Sequence, residues 1–187
     1  MLKKLALSAG LAISSTAAYA SAWDALIMHP TPATVAGAIK LVDKPNCEVS
    51  AIPTSSQVSS LTQLLARREL DPALIRVAYL LTRCLDGGER EDVYRALGKV
   101  LATRPRSMLR MLADESVTDK ELTYIIASPP LELVDNVHGQ IRELERREAR
   151  VRSASEERTA ELSQRALKAL ASRRTDLLAI QKQIASE

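Results

Sequence analysis

Aromatic residues are scarce in this chain of 187 residues, which has no Phe, one Trp and four Tyr. A protein built on sheets would normally show more aromatic side chains and more alternation of β-branched residues. The scarcity leaves Leu, Ile, Val and Ala to form the core, and these side chains suit helix-on-helix packing. We therefore predict an all-α fold, with a small multi-helix domain of about five short helices followed by a C-terminal long helix or helical hairpin.

Catalytic signatures are also lacking. The six glycines are few for an active site built on loops, and no GxSxG, SxxK, Walker A or GxGxxG motif occurs. The two histidines, His29 and His138, stand outside any HExxH context, and the pair formed by Asp135 and His138 is a weak signal by itself. We therefore expect a protein that is not an enzyme, with no catalytic, cofactor-binding or metal-binding residues.

Long apolar runs are missing beyond the N-terminus, so we predict no transmembrane segment there. The N-terminus itself has Lys3 and Lys4, a mostly apolar stretch over residues 5–17, and then the small-x-small triplet of residues 18–20. This order is typical of a secretory signal peptide, here residues 1–20, cleaved after Ala20. We expect a periplasmic or secreted protein, and we prefer the periplasm of a bacterium.

Charge of one sign does not dominate the remainder of the chain. The predicted signal peptide carries two lysines and no acidic residue, so its removal lowers the formal charge from +3 to +1. Nucleic-acid-binding proteins usually show a concentrated basic footprint. A nucleic acid is therefore disfavoured as the main partner.

Only two cysteines are present, Cys47 and Cys84. In an oxidising compartment two cysteines most simply pair with each other, and the chain-entropy model gives such a bond about 4 kcal/mol of stabilisation. They form no CxxC motif, and no nearby histidine completes a zinc site. We predict a structural disulfide between them.

Residues 21–57 contain several helix-breaking residues, namely Pro30, Pro32, Gly37, Pro45 and Pro53. Such punctuation predicts an extended, partly irregular arm. Within this arm, residues 34–41 fit a short helix or a short strand equally well.

Residues 58–130 show helical periodicity and form the predicted short-helix domain, with five helices between residues 58 and 127. Several sequence signals mark its helix boundaries. Starts are predicted at Asp71-Pro72 and at the capping box Thr118 to Glu121, a stop at Gly87-Gly88, a break at Arg104-Pro105 and an end at Ser128-Pro129-Pro130.

Residues 131–187 are rich in charge and contain neither glycine nor proline after Gly139. Two interpretations fit: one helical rod from Leu131 to about Ala185, or an antiparallel hairpin that breaks near Ser153. A lone charged rod has no partner against which to bury its apolar stripe, and helices gain most of their stability from packing. We therefore favour the hairpin, packed on residues 58–130.

Basic residues are concentrated between residues 58 and 112, which hold ten Lys/Arg against six Asp/Glu. The densest group is Arg104, Arg106 and Arg110, and it is our candidate partner-binding set. An acidic protein, an anionic lipid surface or a cell-wall polymer would suit it, since the guanidinium fork favours carboxylate contacts. A solvated helix exterior explains each arginine separately.

These observations favour an exported, non-enzymatic helical protein that acts by protein–protein binding in the bacterial cell envelope. It would be inhibitor-like, immunity-like or an adaptor, and its partner would be an unidentified envelope protein or a second copy of itself, joined through residues 131–187. The alternatives are a periplasmic chaperone or stress-type protein and, less favoured, an envelope hydrolase with His138 as its base.

Overall fold

The computed structural model describes residues 15–43, 47, 51–67 and 71–186, with side chains from residue 22 onward. Within these residues it contains α-helices and short 3₁₀ turns but no strand, which confirms the predicted all-α fold. The helices are α1 (Ser15–Met28), α2 (Pro32–Val42), α3 (Ser55–Leu65), α4 (Pro72–Leu81), α5 (Gly87–Thr103), α6 (Pro105–Asp114), α7 (Asp119–Ala127), α8 (Val137–Ala154) and α9 (Ala160–Ile184).

Helices α3 to α7 are the five short helices that were predicted, and local signals place most of their ends. The Asp71 carboxylate accepts a hydrogen bond from the Ala73 amide at 2.9 Å, so α4 begins where its N-cap was expected. Thr118 and Glu121 form the predicted capping box of α7. Arg104 separates α5 from α6, because the residue before a proline avoids helical angles.

One predicted boundary is wrong, because Gly87 and Gly88 open α5 and do not end α4. Helix α4 already stops at Leu81, where the Thr82 hydroxyl donates to the Tyr79 carbonyl at 2.7 Å. A hydroxyl of this kind competes with the helical hydrogen-bond pattern and favours a turn. Gly87 has φ +46°, a left-handed conformation that glycine adopts without strain, so it suits the tight entry to α5.

The irregular arm expected over residues 21–57 is instead mostly helical in the part that the structure describes. Pro32 is the first residue of α2, where a missing N–H costs nothing, and Thr31 caps that helix. The alternative left open for residues 34–41 is thus decided in favour of a helix. Burial of Trp23 and Val35, which are 1% and 2% exposed, holds both N-terminal helices on the body of the protein.

The predicted signal peptide lies largely outside the described residues, which begin at Ser15. The proposed cleavage site after Ala20 falls within α1. On the C-terminal side of that site, the indole Nε1 of Trp23 donates to the Ala51 carbonyl at 2.8 Å. The residues that follow the site are therefore part of the packed structure.

Cys47 and Cys84 form the predicted disulfide, with their Cα atoms 5.4 Å apart and a sequence separation of 37. Cys84 lies in the turn that follows α4, next to Thr82 and Arg83. The bond therefore fixes residue 47, which precedes α3, to the connection between α4 and α5.

The last third of the chain is a helical hairpin, as favoured from the sequence. Helix α8 ends at Ala154, a 3₁₀ turn covers Glu157–Thr159, and α9 follows. Contacts of Arg174 with Glu148 at 3.6 Å and of Gln181 with His138 at 3.3 Å show that the two helices run antiparallel. Helix α9 also packs on α7, so the hairpin closes over the short-helix domain.

Helix α5 is the central element of the bundle and packs against α3, α4, α6, α7 and α8. Its apolar side chains join a single buried cluster that extends from Trp23 in α1 to Leu177 in α9. Across the described residues, none of the helices combines the length and the apolar character needed to cross a membrane.

Candidate binding cleft

The predicted arginine cluster forms, but its members have partners within the protein. Arg110 makes a two-pronged ion pair with Glu156, with its closest N···O distance at 2.7 Å. Arg106 lies 3.7 Å from the same carboxylate, and Arg104 donates to the Arg67 carbonyl. Glu156 belongs to the connection between α8 and α9, so these arginines help to attach the hairpin to α6. Their role in binding a partner stays a prediction.

A second basic region forms a larger concavity, between the end of α4, the first half of α5 and α7. It has a volume of about 590 Å³ and is open to solvent. We call it the tyrosine–arginine cleft; its main lining residues are Arg83, Arg90, Tyr94, Lys120, Glu121 and Tyr124. The volume falls in the range of about 300–1,000 Å³ that is usual for ligand sites.

Two tyrosines from different helices stack on each other in this cleft. The rings of Tyr94 in α5 and Tyr124 in α7 have centroids 5.6 Å apart and planes inclined by 9°. Tyr94 is buried, whereas Tyr124 is 49% exposed. An offset stack of this kind holds the outer ring in a defined orientation. Tyr124 is thus a fixed aromatic surface that faces solvent.

Arg83 lines the same cleft and contacts a further tyrosine, Tyr79 in α4. Its guanidinium lies 5.0 Å from the ring centre of Tyr79 and donates to the Tyr79 hydroxyl at 3.1 Å. Burial raises the pKa of Tyr79, although the hydrogen bond and the charge of Arg83 act in the opposite direction. Burial acts to lower the pKa of Arg83, but its contacts with Tyr79 and the charge of Glu121 outweigh that effect and raise it. Arg83 is therefore a permanent cation.

Glu121 has two structural roles at the edge of the cleft. One carboxylate oxygen accepts hydrogen bonds from the Thr118 amide at 3.0 Å and the Thr118 hydroxyl at 2.7 Å, and the other oxygen lies 3.7 Å from Arg83. Burial acts to raise the pKa of Glu121, but the hydrogen bonds from Thr118 and the charge of Arg83 lower it overall. The residue is therefore ionised at neutral pH and already has partners.

The cations of the cleft outnumber its carboxylates by four to two. Arg95 is neutralised by Glu91 at 2.8 Å and by Asp92 at 2.9 Å. Arg90 donates to a neutral acceptor, the Leu85 carbonyl. Lys120 is exposed and has no ion pair within the described part of the chain. Positive charge in the cleft is therefore only partly compensated.

A buried arginine on α8 stabilises the C-terminal end of α7, which forms one side of the cleft. Arg147 in α8 is fully buried and donates to the carbonyl oxygens of Ile126 at 2.7 Å and Ser128 at 2.9 Å. These carbonyls end α7, the helix that carries Tyr124, and Ser128 itself lines the cleft. Arg147 thus acts as a C-terminal cap that another helix supplies.

The histidines lie outside this cleft. His29 follows α1 and is exposed, and His138 contacts Gln181 at the outer end of the helical hairpin. Among the residues that the structure describes, no three His, Cys, Asp or Glu side chains are grouped so that they could hold a metal ion. The lining of the cleft presents an aromatic ring, four cations and two carboxylates.

In the sequence, Arg83 is only one of the ten basic residues between residues 58 and 112, and the tyrosines stand out only by their scarcity. Tyr94 and Tyr124 are far apart in sequence and on different helices, so no local motif links them. The usable signal is the scarcity itself: of the few aromatic residues after residue 20, three converge on one region.

In comparisons with known proteins, no family model, no curated protein and no solved structure matches this chain. A functional argument therefore depends on the geometry of the cleft.

Proposed function

We propose that this is an exported, non-enzymatic binding protein that holds a partner protein in the tyrosine–arginine cleft. The observation that carries the proposal is the half-exposed ring of Tyr124, fixed on Tyr94 and surrounded by cations, in an open concavity of about 590 Å³. Tyr and Arg are the side chains that most often dominate binding energy in protein interfaces. Both are concentrated here in a chain that has few aromatic residues.

Export is supported by two independent features. The N-terminal residues follow the pattern of a signal peptide, and both cysteines are joined in a disulfide, a bond that persists in oxidising compartments. Cell fractionation together with the intact mass of the purified protein tests this part of the proposal. We expect the protein in the envelope fraction with Ser21 as its first residue; a cytosolic protein that retains residues 1–20 would contradict it.

The arginine cluster of α6 is the competing surface. Arg106 and Arg110 have side chains that are 69% and 55% exposed, so both remain accessible despite their contacts with Glu156. A partner that binds there must compete with this internal carboxylate. The tyrosine–arginine cleft offers cations that have no such competitor, and for this reason we prefer it.

Site-specific photo-crosslinking in living cells distinguishes the two surfaces. A photoreactive amino acid is placed at Tyr124, at Arg106 or at the control position Met28, which is 70% exposed at the end of α1. We expect one discrete crosslinked protein from position 124 and none from position 28. A discrete product from position 106 alone would move the binding surface to α6, and no discrete product from any position would refute the proposed function.

The alternatives have less support in the described residues. A chaperone cradle needs a broad exposed apolar surface, whereas the exposed large apolar side chains of the described residues are divided between α1, α7, the turn after α7 and the end of α9, where Leu178, Ile180 and Ile184 lie. For the hydrolase, His138 contacts Gln181 and forms no ion pair with Asp135 in the part of the chain that the structure describes.

A further inference from the structure

We infer that the tyrosine–arginine cleft recognises an acidic peptide segment in which an aromatic side chain stands next to carboxylates. The inference rests on the proposed function, because it names the chemistry of the partner that the cleft would take. It follows from three properties of the cleft: its uncompensated cations, its aromatic surface and the distribution of its charges.

The uncompensated cations can be identified one by one. Glu91 is held by Arg95, and Glu121 is held mainly by Thr118, so neither carboxylate is available to the remaining cations. Arg90 contacts a neutral carbonyl, and Lys120 has no ion pair among the described residues. These two side chains offer positive charge that a ligand can neutralise without displacing an internal partner.

The aromatic surface selects a second ligand group beside the carboxylates. Tyr124 is half exposed although its inner side is covered by Tyr94. Aromatic pairs gain stability beyond the burial of their area, so a planar side chain of the ligand is favoured on Tyr124. Lys120 lies four positions before Tyr124 on α7, which places the cation and the ring on one face of that helix.

The distribution of the charges favours separate carboxylates over one compact polyanion. Arg83, Arg90 and Lys120 come from three different elements, namely the turn after α4, the helix α5 and the helix α7. Two carboxylates, Glu91 and Glu121, also line the cleft, and they disfavour a concentrated negative charge beside them. Carboxylates spaced along an extended peptide can reach the dispersed cations and avoid these residues.

The experiment is a titration of the full oxidised protein, followed by NMR, with three short blocked peptides of the sequences Gly-Tyr-Glu-Glu-Gly, Gly-Tyr-Gln-Gln-Gly and Gly-Ala-Glu-Glu-Gly. We expect the first peptide to shift the amide signals of residues 83–95 and 120–129. The Ala peptide should bind about fivefold more weakly, the loss expected for one aromatic contact, and the Gln peptide should lose at least as much because two surface charge contacts are removed. Binding of the first peptide should weaken as salt is raised.

Protein variants locate the interaction. Lys120→Glu should abolish measurable binding, whereas Lys40→Glu, an equal charge change on the exposed surface of α2, should leave it unchanged. Tyr124→Ala should remove the preference for the Tyr peptide over the Ala peptide. Helical circular dichroism of each variant confirms that it is folded.

Each outcome supports or overturns the inference. Equal binding of the Glu and Gln peptides, no binding of any peptide, or full binding by Lys120→Glu would overturn it. A crosslinked partner at position 124 together with failed peptide binding would leave the proposed function intact and refute only the ligand class. Peptide binding with no crosslinked partner would refute the proposed function while the cleft chemistry stands.

Discussion

Gly98 has no side chain because two neighbouring helices occupy the space beside it. A Cβ atom at this position would lie 2.9 Å from the Arg147 guanidinium and 2.9 Å from the Ile125 carbonyl oxygen. Gly98→Ala should therefore destabilise the protein by about 1–3 kcal/mol, the usual cost of overpacking. Urea unfolding of the variant and the parent protein measures this loss of unfolding free energy. Gly88→Ala is the matched control, because no atom lies within 4 Å of its Cβ position, and a similar loss in both variants would contradict this account.

Arg147 is the residue whose guanidinium lies beside Gly98. It is fully buried, and besides the carbonyls of Ile126 and Ser128 it binds Glu143 at 2.9 Å. Burial lowers the pKa of this guanidinium, and the charge of Glu143 acts against that effect. Arg147→Met removes one of the two arginines that bind the largely buried Glu143 carboxylate, the other being the exposed Arg146 at 2.9 Å, so we expect a loss of about 3 kcal/mol.

A double-mutant cycle tests this interpretation of Arg147. Glu143→Gln should be less costly when Arg147 is already Met, because the buried carboxylate that has lost Arg147 is then removed. Unfolding free energies of the two single variants and the double variant give the coupling. Strictly additive losses would show that the two side chains do not act as a pair.

Ionisation of Glu121 makes the free energy of unfolding depend on pH in the acidic range. Its pKa is lowered in the folded state, chiefly through the hydrogen bonds from Thr118 and the charge of Arg83, which outweigh its burial. A carboxyl group with a lowered folded pKa contributes stability above its unfolded pKa of about 4.3, and this contribution is lost as the pH falls through the folded pKa.

The corresponding experiment compares Glu121→Gln with the parent protein. The difference in unfolding free energy should be largest near neutral pH and should shrink as the pH is lowered below about 4. Glu132→Gln is a control on an exposed carboxylate outside the cleft. A difference for Glu121→Gln that is independent of pH would rule out this linkage.

At the scale of elements, the disulfide is a covalent cross-link between the segment before α3 and the turn after α4. Residues 47 and 84 are 37 positions apart, and the chain-entropy model assigns about 4 kcal/mol to a loop of this size. The double variant Cys47→Ser/Cys84→Ser should lose about this amount of unfolding free energy. Urea unfolding with and without reductant checks it: reductant should destabilise the parent protein and leave the variant unchanged. Parent and variant with the same urea midpoint would contradict the prediction.

The starts of α4, α6 and α7 are predictable because their signals are local: an N-cap, a proline or a capping box within a few residues. The sequence does not predict α1 after residue 20 and leaves α2 open between a helix and a strand, because Pro30 and Pro32 are typical of helix breaks. Pro32 in fact occupies the first position of α2. What decides between the two interpretations is the burial of Trp23 and Val35 against distant helices, which no local pattern contains.

The candidate cleft was harder to predict than the helices that form it. The basic character of residues 58–112 was visible, but the sequence analysis favoured the dense group at Arg104, Arg106 and Arg110. Spacing along the chain does not reveal that Glu156, from a distant connection, reaches Arg106 and Arg110. The stacking of Tyr94 on Tyr124 likewise depends on how α5 and α7 pack, which is a property of the tertiary structure.

At the scale of the whole molecule, the buried apolar cluster is continuous from α1 to α9. Helices near both ends of the chain therefore depend on the same core, and a continuous core favours all-or-none unfolding. Trp23 is the only tryptophan and is 1% exposed, so its fluorescence reports the packing of the N-terminal helix alone. Far-UV circular dichroism, in contrast, reports all the helices together.

We therefore expect the urea transitions followed by Trp23 fluorescence and by circular dichroism to have the same midpoint and steepness. Leu177→Ala, at the opposite end of the core in α9, should shift both curves by the same amount, with a loss of about 2–5 kcal/mol. Leu178→Ala is its control, because this neighbouring side chain is 42% exposed. A fluorescence curve that stays in place while the circular dichroism curve moves would show that α1 and the C-terminal hairpin unfold as separate units.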